Sequence, residues 1–444
     1  MNKQVKTPCG EIQGTTCRLP GVTAFKGIRY ATAGRWEYPK IVTKWDGIYD
    51  ATKYGNCSYQ PRAFYNEEEN LKKIFYYNEF RKDEKYTYSE DCLFLNIWTP
   101  DEADENSKLP VILYIHGGGY TGGCGHEKHF DDPVWPTKGV VAVTVNYRLG
   151  PMGFLCLPEL KEEAGHCGNY GLYDQLASIQ WVRNNISAFG GDPEKITIMG
   201  QSAGAMSVQQ QCMSPLSDGM FRAAVMSSGC GMTNMLMSTP EKVYPFWHEV
   251  MKRLGCKNLE EFRAVSPEKL FAEWQSAKKD VKGGNMSAFP VKDGHFMVDD
   301  AKPKNIPYIV GSNSHDMAPP ILYSLAKKWG KKNSLRSYAY YFDRMLPGDN
   351  NGAWHSSDLW YWFGTLPNCW RPMEQKDYDL SDEMTTYLCN FAKNGNPNGE
   401  NLPIWKSSDE SNNVLDMGEN PTKMDSPSIL KMVYIMLTNK AVGE

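Results

Sequence analysis

A short apolar run leads directly into a glycine-flanked serine in Ile196-Thr197-Ile198-Met199-Gly200-Gln201-Ser202-Ala203-Gly204. The run has the length and composition of a buried strand, and residues 205–212 after it are compatible with a helix. The pattern G-x-S-x-G marks a sharp strand-to-helix turn that lifts a serine hydroxyl clear of a sheet. Small neighbours are needed there because the strand and the helix approach each other closely. The segment therefore predicts an α/β fold with Ser202 as a candidate nucleophile.

The same succession of an apolar run and a polar turn recurs along the chain. Further strands are predicted at residues 111–115, 140–145, 223–226, 307–310 and 337–342. Such short runs are typical of strands buried on both faces in a mostly parallel sheet that is flanked by helices. Ligands of open parallel sheets bind outside the carboxyl ends of the strands, where these polar turns fall.

Two other segments predict regular structure away from these turns. Residues 172–186 form an amphipathic helical pattern, and residues 10–30 alternate in short pieces that predict antiparallel hairpins. No repeat or linker divides the chain. We therefore expect a single catalytic domain over residues 1–444, with lid-like insertions around 233–290 and 317–335.

Composition and charge narrow the range of partners. The 48 basic and 52 acidic residues give a formal net charge of −4, which argues against nucleic-acid partners and against a polybasic membrane surface. No stretch approaches the roughly 18 apolar residues of a membrane span, and the first residues lack the apolar core of a signal peptide. We expect a cytoplasmic protein that binds a small molecule; the oligomeric state stays open.

A glycine-rich segment, His116-Gly117-Gly118-Gly119-Tyr120, follows the strand predicted at 111–115. Acyl transfer develops negative charge on a carbonyl oxygen, and each backbone N–H aimed at it contributes about 3 kcal/mol. Consecutive glycines let the backbone approach a ligand without interference from Cβ atoms. Beside the serine motif, this segment predicts an oxyanion hole made by Gly118, Gly119 and Ala203. The alternative is a flexible turn.

A serine nucleophile needs a histidine that accepts its proton, and the histidine needs a carboxylate that holds its tautomer. In the α/β-hydrolase fold the chain order is serine, acid, histidine. That order leaves four histidines after Ser202: His248, His295, His315 and His355. His355 is favoured because its loop follows the strand predicted at 337–342, where the last strand end would place a base.

Asp316 is the favoured acid because it directly follows the strand predicted at 307–310. The competing carboxylates are Asp293, Asp299, Asp300 and Asp343. The sequence alone leaves these alternatives open.

Two further clusters have more than one interpretation. Residues 126–129 read His-Glu-Lys-His, but they lack the H-E-x-x-H spacing, and no cysteine or carboxylate cluster completes a site in the sequence. We interpret them as a surface turn and predict no metal and no other cofactor. A set of aromatic residues near His355 fits a substrate pocket and core packing equally well: Trp354, Trp360, Tyr361, Trp362, Phe363 and Trp370.

Three motifs resemble those of type-B carboxylesterases, the family of para-nitrobenzyl esterases, animal carboxylesterases and cholinesterases. Residues 25–31 read Phe-Lys-Gly-Ile-Arg-Tyr-Ala, residues 89–100 are close to the E-D-C-L-Y-L-N signature, and residues 189–204 match the signature around the serine. The resemblance spans nearly the whole chain. It implies Ser202, Asp316 and His355 as a catalytic triad, together with the oxyanion hole described above.

The chain departs from this family in several ways. The acid is usually glutamate, and Gln201 stands where cholinesterases carry glutamate, so choline-ester specialisation is not expected. Only 39 positions separate Asp316 from His355, which implies a reduced helical lid. Cys57 and Cys92 fall where secreted members form a disulfide, and the sequence leaves that bond undecided.

The resemblance implies a serine carboxylic-ester hydrolase that works through an acyl-enzyme. The aromatic residues and the reduced lid favour short or aromatic esters, hydroxycinnamoyl esters among them. Two alternatives remain: a binding protein of the same fold without activity, and an amide or lactone hydrolase that uses the same machinery.

Overall fold

The structure of the protein is a computed structural model that describes residues 3–71, 74–232, 236–332 and 335–438. Its strands are β1 (Gln4–Thr7), β2 (Gly10–Gln13), β3 (Thr15–Thr16), β4 (Val22–Arg29), β5 (Ala31–Thr32), β6 (Lys40–Ile41), β7 (Ile48–Asp50), β8 (Cys57–Ser58), β9 (Tyr88–Ser89), β10 (Phe94–Pro100), β11 (Leu109–Ile115), β12 (Val141–Val145), β13 (Gly191–Gln201), β14 (Ala223–Ser227), β15 (Tyr308–Asn313), β16 (Ser337–Phe342), β17 (Val414–Met417) and β18 (Lys423–Asp425).

The helices of the described residues lie mainly between these strands. They are α1 (Ile74–Phe80), α2 (Gly150–Phe154), α3 (Pro158–Ala164), α4 (Tyr170–Asn185), α5 (Ala203–Met213), α6 (Pro240–Arg253), α7 (Leu259–Arg263), α8 (Pro267–Ala277), α9 (Pro319–Lys332), α10 (Leu359–Phe363), α11 (Gln375–Asn394) and α12 (Ile429–Thr438). Among these described helices, none combines the length and the hydropathy that a membrane crossing requires.

One large sheet organises the fold, in the order β18-β17-β16-β15-β14-β13-β11-β12-β10-β4-β3. The strands from β12 to β17 pair in parallel, whereas β10, β4, β3 and β18 pair antiparallel at the two edges. The predicted mostly parallel sheet flanked by helices is confirmed. Within the predicted range 10–30, β3 and β4 form an antiparallel pair, whereas β2 pairs with β1, which lies before that range.

The central strands β11, β12, β14, β15 and β16 are almost entirely buried because both faces of the sheet are covered. In β11, Val111, Leu113 and Ile115 belong to one hydrophobic core, and Ile112 and Tyr114 belong to the other. Successive side chains of a strand point to opposite faces, so a continuous apolar run supplies both cores.

Helix α4 differs from its predicted amphipathic character. It is buried on nearly all sides, and even Asp174 within it is fully buried. The Asp174 carboxylate accepts hydrogen bonds from the buried Arg148 guanidinium, with Nη2 2.7 Å from Oδ1. A buried ion pair satisfies both charges. The polar residue Asp174 in the predicted helical pattern therefore does not require that the helix have a solvent-facing side.

The parallel strands end at one edge of the sheet. The loops that follow β11, β13, β14, β15 and β16 therefore lie side by side at that edge. The loops after β11, β13, β15 and β16 contribute residues to the site described next, and β14 contributes its last residue, Ser227.

Candidate active site

Ser202 occupies a strained turn between β13 and α5. Its backbone has φ 58° and ψ −128°, a conformation that residues with a side chain rarely adopt. A Cβ atom on Gly200 would lie 2.3 Å from the carbonyl oxygen of Gly204, and a Cβ atom on Gly204 would lie 2.1 Å from that of Ile115. The glycines of the motif are therefore required by the close approach of strand and helix, and Ser202 is left partly exposed at the cavity wall.

The glycine-rich loop after β11 lies beside this serine. A Cβ atom on Gly117 would lie 2.6 Å from the carbonyl oxygen of Gln201, so the loop and the turn pack backbone to backbone. Gly118 and Gly119 have φ of 108° and 61° and are exposed to the cavity. The Gly118 carbonyl accepts hydrogen bonds from the backbone N–H groups of Thr121 and Gly122, both at 3.0 Å, which closes the loop on itself.

Ala203, the third predicted oxyanion donor, is the first residue of α5 and is buried. The first N–H groups of a helix have no intrahelical acceptor. The Ala203 N–H at the start of α5 therefore has no acceptor within the helix.

The structure brings His355 and Asp316 into direct contact. The Nδ1 atom of His355 is hydrogen-bonded to Oδ1 of Asp316. The carboxylate is held in turn by backbone N–H groups, from Asn313 to Oδ2 at 3.2 Å and from Met317 to Oδ1 at 3.0 Å. Both side chains are buried, and His355 lines the same cavity as Ser202.

The electrostatic surroundings change the basicity of His355. Burial acts to lower its pKa, but the Asp316 carboxylate and, more weakly, that of Asp358 oppose this, and the net pKa is raised above its ordinary value. Because the proton on Nδ1 faces Asp316, the neutral ring presents Nε2 as an acceptor. A base of this kind is suited to take a proton from a hydroxyl group.

The Nε2 atom of His355 lies 3.3 Å from the amide nitrogen of Gln201. Gln201 is buried next to the serine. Its N–H group donates to Nε2 when the Nδ1 proton faces Asp316. The residue before the nucleophile thus contacts the histidine, which the sequence did not indicate.

A second buried carboxylate, Asp358, was missed by the sequence analysis. Its Oδ2 accepts hydrogen bonds from the hydroxyls of Ser227 at 2.7 Å and Tyr340 at 3.0 Å, and its Oδ1 from the amide of Asn313 at 3.2 Å. Burial raises its pKa despite these donors. Its position three residues after His355 was visible in the sequence, but its partners come from three different strands.

The competing candidates lie elsewhere. His248 contacts Glu159, His295 contacts the Tyr173 hydroxyl, and His315 contacts Ser314. Asp299 and Asp300 are exposed, Asp293 accepts backbone N–H groups of its own turn, and Asp343 accepts the N–H of Glu419. Within the described ranges, these side chains are absent from the cavity wall.

The cavity has a volume of about 950 Å³. Its aromatic wall consists of Phe64, Tyr65, Tyr76, Phe80, Tyr114, Phe130 and Phe271. None of the six aromatic residues near His355 lines this cavity: Trp354, Trp360, Tyr361, Trp362 and Phe363 are buried in the core, and Trp370 is exposed. Core packing is therefore the correct interpretation for five of these six residues.

The interpretation of residues 126–129 as a surface turn is wrong. Glu127 and His129 are buried, and Glu127 accepts a hydrogen bond of 2.6 Å from Arg62. Burial would raise the pKa of Glu127, but the charges of Arg62 and Arg81 outweigh it and lower the pKa to about 2. This turn is held in the protein interior by ion pairs with residues distant in sequence. A local sequence pattern does not reveal such pairs.

The cysteines of the chain are free thiols, and Cys57 and Cys92 do not form a disulfide. Cys57 instead lies beside Cys124 and His126, with its Sγ atom 3.5 Å from Nε2 of His126. Cys124 lies two positions before His126 in the sequence, but Cys57 lies 69 positions upstream of His126, so no local motif joins the three residues.

Comparison with known proteins identifies the family. The model of the Carboxylesterase family matches residues 1–336 and 318–432. The para-nitrobenzyl esterase of Bacillus subtilis (strain 168) is 29% identical over 480 aligned residues, covering 93% of this chain and 94% of that protein. Bile salt-activated lipase of Mus musculus is 29% identical over 542 aligned residues, covering 97% and 86%.

A solved PNB esterase structure superimposes with a TM-score of 0.84 at 25% identity, covering 98% of this chain and 99% of that one. The architecture is therefore the α/β-hydrolase fold. The chain belongs to the carboxylesterase family and is a carboxylic-ester hydrolase of the serine class.

Proposed function

We infer that the protein hydrolyses short or aromatic carboxylic esters through an acyl-enzyme on Ser202. In this proposal His355 is the general base, Asp316 orients it, and the backbone N–H groups of Gly118, Gly119 and Ala203 form the oxyanion hole. The observation that carries the proposal is the buried contact between His355 and Asp316 beside the strained serine turn.

The chemistry follows from this arrangement. The Ser202 hydroxyl attacks the ester carbonyl while Nε2 of His355 takes its proton, and the backbone amides stabilise the oxyanion. His355 then gives the proton to the leaving alcohol as the carbon–oxygen bond breaks. A water molecule, deprotonated by the same nitrogen, attacks the acyl-enzyme and releases the acid and the free serine.

Gln201 also takes part in these reaction steps. In the structure its amide contacts the nitrogen that must face Ser202. The histidine therefore exchanges the Gln201 N–H for the serine hydroxyl before proton transfer. An uncharged partner makes this exchange less costly than a carboxylate would, because no ion pair with the imidazolium is broken.

The cavity wall supports the choice of substrate. Phe64, Phe271 and Tyr76 line the cavity, and an aromatic contact with a flat acyl or alcohol group is worth about 0.5–1.5 kcal/mol beyond area burial. Phe271 comes from α8 and Met317 precedes α9, so both predicted lid-like segments reach the cavity. We propose that these segments form the reduced lid of one catalytic domain over residues 1–444.

Two experiments test the proposal. A fluorophosphonate probe should label the wild-type protein and fail to label Ser202→Ala. Labelling that persists in Ser202→Ala would place the nucleophile elsewhere, and failure to label either protein would favour a binding protein without activity.

A substrate panel tests the acyl preference. We expect turnover of short aryl esters and of methyl hydroxycinnamates, with poor turnover of long-chain triglycerides. If kcat/KM instead rises steadily with aliphatic chain length and methyl cinnamates are untouched, the cavity is an acyl tunnel and the aromatic preference is wrong. Phe271→Leu should lower kcat/KM for cinnamates more than for acetate esters.

A further inference from the structure

Three potential metal ligands meet outside the catalytic residues. The Sγ atoms of Cys57 and Cys124 and a ring nitrogen of His126 all lie within 4.8 Å of one another. Both cysteines are fully buried, and Nδ1 of the half-buried His126 is shielded from solvent without a hydrogen-bond partner among the described residues. This thiol–imidazole cluster has no role in ester hydrolysis as proposed above.

Neighbouring groups fix the imidazole in place. The ring of His126 stacks on Tyr54, with centroids 4.5 Å apart and planes 9° apart, and the Tyr86 ring lies 5.6 Å away. Ring contacts on this scale restrict the orientation of the imidazole. The direction of its nitrogens is therefore set before any ligand binds.

The backbone on both sides of the cluster is also fixed. Cys57 donates its N–H to the Thr87 carbonyl at 2.8 Å. Gly125, between Cys124 and His126, donates to the Asn146 side chain at 2.7 Å, and that side chain donates to the Asn56 carbonyl at 3.0 Å. Asn146 thus ties the two chain segments together, and these backbone contacts do not depend on a ligand.

The chemistry and the geometry fit zinc. Thiolate sulfur and imidazole nitrogen are the ligands that Zn²⁺ takes in proteins, and bond lengths of about 2.3 and 2.05 Å at a tetrahedral angle separate sulfur from nitrogen by about 3.6 Å. The observed separation between Sγ of Cys57 and Nε2 of His126 is 3.5 Å. Two thiolates balance the charge of one Zn²⁺, so the filled site is neutral, as burial requires.

We propose that Cys57, Cys124 and His126 bind a Zn²⁺ ion, with the fourth tetrahedral position filled by a water molecule. The site joins β8 to the glycine-rich loop. The Gln60 side chain makes the same connection nearby, accepting from the N–H of Gly123 at 2.9 Å and donating to its carbonyl at 3.0 Å. The ion therefore stabilises the loop that carries Gly118 and Gly119, and it takes no part in the chemical step.

Metal content and Co²⁺ binding test the site directly. Full-length protein, purified without a metal-binding tag, should contain about one zinc per chain by elemental mass spectrometry. After chelation and reduction, Co²⁺ should produce the charge-transfer absorption of thiolate ligands at one equivalent. Added Zn²⁺ should abolish that absorption and raise Tm.

Variants locate the ion. Cys57→Ser, Cys124→Ser and His126→Gln should each bind Zn²⁺ at least about 100-fold more weakly, because losing even an outer partner of a zinc ligand costs 10–100-fold. Cys156→Ser is the matched control. Cys156 and Cys167 are a second contacting thiol pair, but they belong to no three-ligand group in the described part of the chain. Zinc binding in this control should equal that of the wild type.

Two results would overturn the proposal. One is reduced wild-type protein that gives no thiolate absorption with Co²⁺ and no rise in Tm with Zn²⁺. In that case a Cys57–Cys124 disulfide, detected by peptide mapping of the protein as isolated, would identify the cluster as a redox pair. The other is equal loss of zinc in Cys156→Ser and in the ligand variants. The Co²⁺ titration uses only wild-type protein, so a poorly folding variant does not obscure the answer.

Discussion

The serine turn and the histidine loop reach the same cavity by different means. The turn from Gly200 to Gly204 is shaped by its own residues, because each glycine removes a clash with backbone a few positions away or on the next strand. The loop from Gly352 to Asp358 is held by groups from distant parts of the chain. Asn313 donates to the Trp354 carbonyl at 2.8 Å, and Ser227 binds Asp358.

Local backbone shape determines the serine turn, whereas charged groups from distant parts of the chain act on the histidine loop. In the turn, the backbone positions Ser202, the proposed nucleophile. In the loop, two buried carboxylates act on the pKa of His355: Asp316, from the segment after β15, contacts it, whereas Asp358, within the loop, acts on it through space. Changes in the turn should therefore affect whether the reaction occurs, and changes in the loop should also affect the pH at which it occurs.

The largest expected effect comes from the turn. Ser202→Ala should lower kcat by about 10⁶-fold, as loss of the nucleophile does in other serine hydrolases. The fold should persist, because alanine keeps the same backbone and removes one hydroxyl. Kinetics and thermal unfolding check both parts. Retention of a tenth of wild-type activity would show that Ser202 is not the nucleophile.

The next effect comes from the carboxylate in contact with the base. Asp316→Asn should lower kcat by about 10⁴-fold, because the amide stabilises the wrong tautomer of His355 and does not stabilise the imidazolium. KM should change much less. The matched controls are Asp299→Asn, at an exposed position, and Asp343→Asn, at a position outside the cavity wall; both should be nearly neutral. A mild Asp316→Asn together with a severe control would mean that the acid is misassigned.

A smaller effect is expected from the carboxylate that acts at a distance. His355 must be neutral to accept a proton, so kcat/KM rises with pH through its pKa, which is raised in the wild type. Asp358→Asn removes negative charge and therefore lowers the pKa of His355. The acid limb of the kcat/KM profile should move to lower pH, by about one pH unit for each 1.4 kcal/mol by which the imidazolium is less stabilised.

Tyr340→Phe is the control for this shift. It removes one hydrogen bond to Asp358 and leaves the carboxylate in place. Its acid limb should move much less than that of Asp358→Asn. Equal shifts in the two variants would mean that packing, and not charge, is responsible.

A shift of opposite sign is expected from the residue that precedes Ser202. Gln201→Glu places a carboxylate next to Nε2 of His355, where the wild type has an amide at 3.3 Å. Negative charge favours the imidazolium, so the acid limb of kcat/KM should move to higher pH. A pH profile unchanged from the wild type would show that Gln201 does not contact the base in solution.

The sequence predicted the parts of the fold that local patterns encode. The strand predicted at 337–342 coincides with β16, and the helix predicted at 205–212 lies within α5. Ser202 and the glycines around it could be identified because their spacing follows from one turn. His355 and Asp316 were reached through strand order, and the structure brings them together.

The residues that were missed depend on contacts across long separations. Asp358 was overlooked because its partners lie on β14, β15 and β16. The sequence left the aromatic residues near His355 open between a substrate pocket and core packing, whereas the aromatic residues that line the cavity include Phe64 and Phe271, from distant segments. The cluster of Cys57, Cys124 and His126 has no spacing that a motif describes. These features are determined by burial and by contacts between residues that are distant in the sequence.

The acyl-enzyme on Ser202 is the central claim, and a burst experiment tests it most directly. Mixing the protein with excess para-nitrophenyl acetate should release about one equivalent of para-nitrophenol per chain in a rapid phase, provided that deacylation is the slower step. Acid quenching at the end of that phase should leave one acetyl group, which peptide mapping assigns to Ser202. An acetyl group on another residue, or hydrolysis with no acetylated Ser202 at any quench time, would contradict the account.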